Sequence, residues 1–281
     1  MKERRPFSAS RQFVLYAPFA YTYTTRLDRY RLLQLLGGEY LPLLLLSYYL
    51  VHGGYESFFS TDTIPLAFLA LSLYVLFFSV YEAGYLYNDC VAVKRESRPT
   101  YRFSACENIY RVMAVKTAAF VLLSLFVGSV SRVTASLFVS MSLAALVLSL
   151  IHSNLREKWR GLTYFWLECL RLLVIPFSLV SNPALMFVST VVVIPEVVRR
   201  TLRYVRIKSY LLDRKFTYYD LKLLAWSLPF AYIVTGLIDS RYLLPLTAFY
   251  LPIVLGILAS IHLFGKRDVR LRGGSFPGRE N

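Results

Sequence analysis

The stretch YEAGYLYNDCVAVKRESRPTYR, residues 81–102, begins inside a long apolar run and ends in a basic loop. It places Glu82, Asn88, Asp89 and Glu96 where a bilayer would meet water, a position in which an unpaired carboxylate is costly. On a helix, Glu82, Asp89 and Glu96 recur at a spacing that puts them on one face. Oxygen atoms arranged in this way are suited to hold Mg²⁺, with a substrate phosphate completing its shell. The alternative is a paired interior Glu82 followed by a solvated helix end.

The composition indicates an integral membrane protein. Of the 281 residues, 56% are hydrophobic, and the mean hydropathy is +0.48. A soluble domain of this length would be more charged and less apolar. Several apolar runs approach or exceed the roughly 20 residues that a membrane-spanning helix needs. We therefore expect an all-α polytopic membrane protein with no second, soluble domain.

The distribution of charge predicts how the chain is threaded. The apolar runs predict eight spans, at about 39–51, 64–87, 112–130, 133–152, 162–180, 184–198, 223–238 and 243–264. Most of the 32 lysines and arginines lie in gaps on one side, which the positive-inside rule assigns to the cytoplasm together with both termini. This accounts for the net charge of +15 without nucleic acid. The predicted division is a basic N-terminal segment at 1–37, a transmembrane domain at 38–264 and a basic, disordered tail at 265–281. Part of the first segment is a candidate interfacial helix.

The three cysteines are Cys90, Cys106 and Cys169. Their number is odd, their spacing matches no metal motif, and they lie in or near the predicted cytoplasmic side. We expect reduced thiols without a catalytic role.

The opening stretch also resembles a known motif. Asn88-Asp89 followed by Glu96 and then Pro99 is similar to the first aspartate-rich motif of the UbiA superfamily of intramembrane prenyltransferases, Asn-Asp-x-x-Asp-x-x-x-Asp. Ala92 stands where the motif has its middle acid. The resemblance implies a UbiA-like bundle of about 8–9 transmembrane helices. It further implies that Asn88, Asp89 and Glu96 bind Mg²⁺ and the diphosphate of an isoprenoid donor, with Asp89 and Glu96 as the catalytic acids.

The superfamily's second acidic motif lies between the sixth and seventh spans, where this chain has PEVVRRTLRYVRIK, residues 195–208. Asp213 and Asp220 are too far apart to reproduce the spacing Asp-x-x-x-Asp, so the second motif is absent or heavily changed. Glu196, Arg200, Tyr204 and Lys208 are four residues apart and line one helical face instead, with Arg199 beside them. Arginine forks match phosphate oxygens. The alternative is an interfacial helix on anionic headgroups.

A second basic segment is HSNLREKWR, residues 152–160, which in the superfamily corresponds to a loop that helps to hold the diphosphate. Its alternative role is an orientation signal, and a lone His152 at a helix end is usually structural. The predicted substrate-binding residues are Asn88, Lys94, Arg156, Lys158, Arg199, Arg200, Tyr204 and Lys208. Separately, Glu168 and Arg171 are three residues apart inside the fifth span and are expected to pair within the bundle, as is Lys116 in the third.

The leading hypothesis is Mg²⁺-dependent transfer of a prenyl group from an isoprenoid diphosphate to an acceptor. A close alternative is phosphoribosyl transfer from a diphosphate donor to a polyprenyl phosphate. A hypothesis of a different class is a transporter or a non-catalytic membrane scaffold. The expected partners are an isoprenoid diphosphate or polyprenyl phosphate and membrane lipids, and not nucleic acid.

Overall fold

The fold is described from a computed structural model. It covers residues 15–17, 20–25, 35–55, 58, 63–95, 106, 108–131, 133–208, 228–229, 231–237 and 240–271. The side chains of Lys158 and Lys208 lie outside this description, as do Glu96, Asp213, Asp220 and much of the predicted seventh span.

Every regular element in the described ranges is helical. The long helices are α2 (Leu41–His52), α3 (Thr63–Cys90), α4 (Ile109–Val130), α5 (Ala135–Asn154), α6 (Glu157–Leu179), α7 (Pro183–Lys208) and α8 (Leu243–Leu271). A short α1 (Ala20–Thr25) precedes them, a π-helical turn (Leu36–Tyr40) leads into α2, and residues 231–237 form another helical segment. The all-α prediction is thus confirmed for the described residues.

Local sequence signals explain where these helices begin and end. α2 has a proline in its first turn and ends at Gly53, whose φ of 75° is the left-handed conformation that glycine adopts at low cost. At the start of α7, the Asn182 side chain accepts a hydrogen bond from the Ala184 N–H at 2.9 Å. For most of these helices, the predicted first and last residues agree with the structure to within a few residues. α7 is an exception at its end, because it continues ten residues beyond the predicted end, to Lys208.

Helices α3 and α6 form the interior of the bundle. α3 packs against α4, α5 and α6, while α6 packs against α2, α5 and α7, and α8 lies against α2. A large apolar core joins these elements, including the fully buried Leu46, Phe77 and Val193. The outer helices α4 and α5 instead present apolar side chains outward, such as Phe126 of α4 and Val147 of α5.

Four helices of the described chain are long and apolar enough to cross a membrane. They are Thr63–Lys94, Ile109–Val130, Ala135–Asn154 and Trp159–Leu179. The outward apolar faces of α4 and α5 fit such an environment, because soluble proteins rarely expose large contiguous apolar surfaces. The class that this indicates is a helical membrane protein.

Helical structure is found near both ends of the described chain. α1 packs against α3, and its Tyr21 is completely buried. At the other end, α8 continues to Leu271, so that the first residues of the predicted disordered tail are helical.

The backbone hydrogen bonding of α7 is interrupted just before its charged turn. Pro195 lies inside the helix, and the Tyr250 hydroxyl inserts into the backbone ladder beside it. The hydroxyl accepts a hydrogen bond from the Glu196 N–H at 3.0 Å and donates one to the Val192 carbonyl at 2.8 Å. Side chains that enter the ladder in this way bend helices. In the following turn Glu196 and Arg199 are buried, and the Arg200 side chain is 14% exposed.

Candidate functional site

Asn88 and Asp89 lie in the last turn of α3. Asp89 is 1% exposed and accepts hydrogen bonds from the Tyr21 hydroxyl at 2.5 Å and from the Asn88 amide at 3.1 Å. Its carboxylate therefore points into the protein and contacts α1. Glu96, the other predicted catalytic acid, lies outside the described residues. Lys94 is exposed on the short 3₁₀ turn Ala92–Arg95 that follows.

Glu82, seven residues before Asp89 on the same helix, forms a buried ion pair. Its carboxylate lies 2.8 Å from the Lys116 ammonium, and neither side chain is exposed. The Thr22 N–H donates to the second Glu82 oxygen at 2.6 Å, and Lys116 also donates to the Ala17 carbonyl at 2.7 Å. The acids of this face of α3 thus hold the N-terminal segment, a role that the sequence did not indicate.

The polar ends of four helices meet at one end of the bundle. Tyr87 of α3 hydrogen-bonds Asn154 of α5 at 3.1 Å. His152 of α5 contacts the Thr163 hydroxyl of α6 at 2.7 Å and the Tyr204 hydroxyl of α7 at 3.1 Å. The three segments that carried the sequence predictions therefore converge at one end of the bundle.

Tyr204 is further positioned by an aromatic stack. Its ring lies parallel to that of Tyr164, with centroids 4.1 Å apart.

The basic residues of the turn between α5 and α6 differ in exposure. Arg160 donates to the Leu155 carbonyl and closes this turn, while Arg156 is exposed. Of the predicted phosphate binders, Lys94 and Arg156 are therefore directly accessible.

Arg199 and Arg200 are engaged by carboxylates. Arg199 forms a fork with Glu196 at 2.6 and 2.7 Å. Arg200 contacts Glu196 at 2.6 Å, Glu39 at 2.8 Å and Glu168 at 3.0 Å. Phosphate binding by these two arginines requires an exchange of carboxylate for phosphate oxygens, and their predicted role stays a prediction.

The same network includes the pair predicted in the fifth span. Arg171 lies 3.4 Å from Glu168, and it also donates a hydrogen bond to Glu39, 132 residues away in the chain. Glu39 was not among the predicted site residues. An acid directly before an apolar run was the available signal, but nothing local identified its partners.

The expectation of three reduced thiols is wrong for two of them. Cys90 and Cys106 form a disulfide, with their Cα atoms 5.5 Å apart, whereas Cys169 is a free, buried thiol. The pairing arises because the end of α3 and the start of α4 are adjacent, which the chain spacing does not reveal. The bond closes the base of the segment that contains Glu96.

The oxygen donors present fit an Mg²⁺ site in part. Asn88 and Asp89 provide adjacent oxygen-bearing side chains, the ligand type that Mg²⁺ prefers. Within the described ranges, no group of three or more His, Cys, Asp or Glu residues is placed to hold a metal.

No protein-family model, curated protein or solved structure matches the chain.

Proposed function

We propose that this chain is a membrane-embedded, UbiA-like transferase that cleaves an isoprenoid diphosphate and transfers its prenyl group to an acceptor. The observation that carries the proposal is the convergence of the polar ends of α3, α5, α6 and α7 at one end of the bundle. The Tyr87–Asn154 and His152–Tyr204 hydrogen bonds bring the end of α3, which carries the motif, together with the segments that were predicted to bind phosphate. The motif resemblance supplies the reaction class.

In this proposal the acidic and amide side chains bind the metal, and the basic side chains bind the diphosphate. Asn88, Asp89 and Glu96 would hold Mg²⁺, which supplies charge neutralisation for the leaving diphosphate. Lys94 and Arg156, which are exposed, would bind diphosphate oxygens, together with Lys158 and Lys208. Tyr204 would donate a hydrogen bond from its fixed ring. Donors that are already in position stabilise developing charge more effectively than mobile ones.

The reaction breaks the C–O bond of the prenyl diphosphate, and its electron pair leaves on the diphosphate oxygen. The allylic carbon then gains an electron pair from the acceptor, which releases a proton. Aromatic faces stabilise cations. The interior already uses them in this way, because the Arg171 guanidinium lies 5.2 Å from the Phe78 ring centre and 5.7 Å from that of Tyr81. By the same interaction, aromatic faces beside the bound prenyl chain would stabilise the allylic cation.

The test is diphosphate release from purified protein in liposomes. Geranylgeranyl diphosphate is supplied with and without Mg²⁺, and released diphosphate is measured for the wild type and for Asp89→Asn. We expect Mg²⁺-dependent release that falls at least 100-fold in the variant. Asn182→Ala is the control, because it removes a polar side chain at the start of α7, away from the end that carries Tyr204. Activities are normalised to folded protein.

A parallel assay uses labelled phosphoribosyl diphosphate with a polyprenyl phosphate. Release from this donor alone would replace prenyl transfer by phosphoribosyl transfer while keeping the site. Failure of the wild type to release diphosphate from either donor would overturn the enzyme proposal.

A second candidate is a transporter or a non-catalytic scaffold. It is favoured by the balanced network in which Arg171, Arg199 and Arg200 face Glu39, Glu168 and Glu196. Ionisable groups inside membrane segments often mark ion pathways. Absence of diphosphate release together with ion flux across the liposome membrane would select this candidate.

A further inference from the structure

The Glu39 carboxylate lies in a preformed anion cradle. Arg171 donates to both of its oxygens, from Nε at 2.7 Å and from Nη2 at 2.6 Å. Arg200 adds a third bond at 2.8 Å, and the Tyr74 hydroxyl adds a fourth at 2.7 Å. Four donors from three helices thus converge on a single anion.

Arg171 and Arg200 also have contacts that do not involve Glu39. Arg171 keeps Glu168 at 3.4 Å, and Arg200 keeps Glu168 at 3.0 Å and Glu196 at 2.6 Å. Arg171 also stays above the Phe78 ring. With Glu39 present, three carboxylates balance three guanidinium groups. Without it, the network carries one uncompensated positive charge and three open donor groups.

The segment that carries Glu39 is suited to move. Glu39 lies in the π-helical turn Leu36–Tyr40, directly after Gly37 and Gly38. A Cβ at either glycine would meet no atom within 4 Å, and neither glycine has a positive φ. Since neither packing nor backbone geometry requires glycine there, the pair contributes backbone freedom next to Glu39. π-helical turns recur at functional positions in helices.

We propose that Arg171, Arg200 and Tyr74 form a binding site for a phosphate or diphosphate group, which the Glu39 carboxylate occupies as an internal stand-in. Guanidinium forks bind carboxylate and phosphate oxygens with the same two-bond geometry. The Arg171 and Arg200 side chains keep 13% and 14% of their surface exposed, whereas Glu39 keeps 3%. The two arginines are thus more exposed than the carboxylate that they hold, and in this proposal an incoming anion binds their donors as Glu39 withdraws.

This site goes beyond the proposed transfer reaction, because it needs neither Mg²⁺ nor Asp89. The two proposals can therefore fail separately. Phosphate binding that persists without Mg²⁺ and in Asp89→Asn would belong to the cradle, whatever the outcome of the diphosphate-release assay.

The experiment measures phosphate affinity in detergent micelles by isothermal titration calorimetry. Glu39→Gln removes the competing charge and is expected to bind inorganic phosphate at least tenfold more tightly than the wild type. Glu82→Gln, which also neutralises a buried carboxylate but at Lys116, is expected to match the wild type. Adding Arg171→Gln to Glu39→Gln is expected to abolish the gain.

A more conservative variant, Glu39→Asp, tests the proposal in case Glu39→Gln does not fold. Glu39→Asp keeps the charge balance but shortens the side chain by one methylene, so it is expected to bind phosphate with an affinity between those of the wild type and Glu39→Gln. Dodecyl phosphate distinguishes the source of the ligand. Tighter binding of dodecyl phosphate than of inorganic phosphate indicates a lipid headgroup, and equal binding indicates a free phosphate. If neither Glu39 variant binds either probe more tightly than the wild type, the cradle is purely structural and the proposal is overturned.

Discussion

Lys116 and Glu82 provide the sharpest test of how the N-terminal segment is held. The Lys116 ammonium lies 2.8 Å from Glu82 and 2.7 Å from the Ala17 carbonyl, inside the protein. Lys116→Met keeps most of the apolar stem but removes the charge and both hydrogen bonds. Glu82 then keeps the Thr22 N–H as its described donor. Removal of one partner of a buried ion pair costs about 3–5 kcal/mol, because the other charge is left uncompensated.

The expected loss can be measured as thermal stability. Cys169 is buried and free, so a thiol-reactive dye reports unfolding in detergent. A loss of this size lowers Tm by about 6–20 °C at roughly 2–4 °C per kcal/mol. Trypsin cleavage at Arg11 and Arg26, which flank the docked segment, should also accelerate. Lys94→Met is the matched control, because Lys94 is exposed, and it should change stability by less than about 0.5 kcal/mol.

The double variant decides whether the ion pair is the cause. Lys116→Met with Glu82→Gln removes both charges and should be more stable than Lys116→Met alone, with a coupling energy of about 0.5–3 kcal/mol. The reasoning is refuted if Lys116→Met is as stable as the wild type, or if the two single losses simply add in the double variant.

Three further predictions concern other contacts. Tyr250→Phe leaves the Glu196 N–H and the Val192 carbonyl without their bridge, so stability should fall by about 1–3 kcal/mol in the same dye assay. Gly84→Ala should cost about 1–3 kcal/mol, because the added Cβ would overlap the Ser149 side chain where α3 meets α5, and Ser149→Gly should restore stability in the double variant. Reduction of the Cys90–Cys106 disulfide should lower stability by about 3 kcal/mol. Mass spectrometry after alkylation of the unfolded chain should show one reactive thiol before reduction and three after it.

Local features of the fold were predictable from the sequence. The long apolar runs, bounded by glycine, proline and charged residues, predicted most of the helix ends because helix formation depends on neighbouring residues. The Glu168–Arg171 pair was also predictable, since residues three apart lie on one helical face.

The candidate site was only partly predictable. The motif identified Asn88 and Asp89 but not the Tyr21 contact, because α1 and α3 meet through tertiary packing. Likewise, the face with Arg200 was predicted, but its carboxylate partners were not. Glu39 is 161 residues from Arg200, and no local pattern connects them.

By itself, the sequence determined a basic, helical, membrane-type chain and the faces on which its polar residues lie. Only the tertiary structure decided which charges meet. Inside an apolar bundle a charged side chain must find a partner, and that partner is set by which helix faces pack together. The docking of α1 against Asp89, the Cys90–Cys106 disulfide and the occupation of the Arg171–Arg200 cradle by Glu39 all follow from that packing.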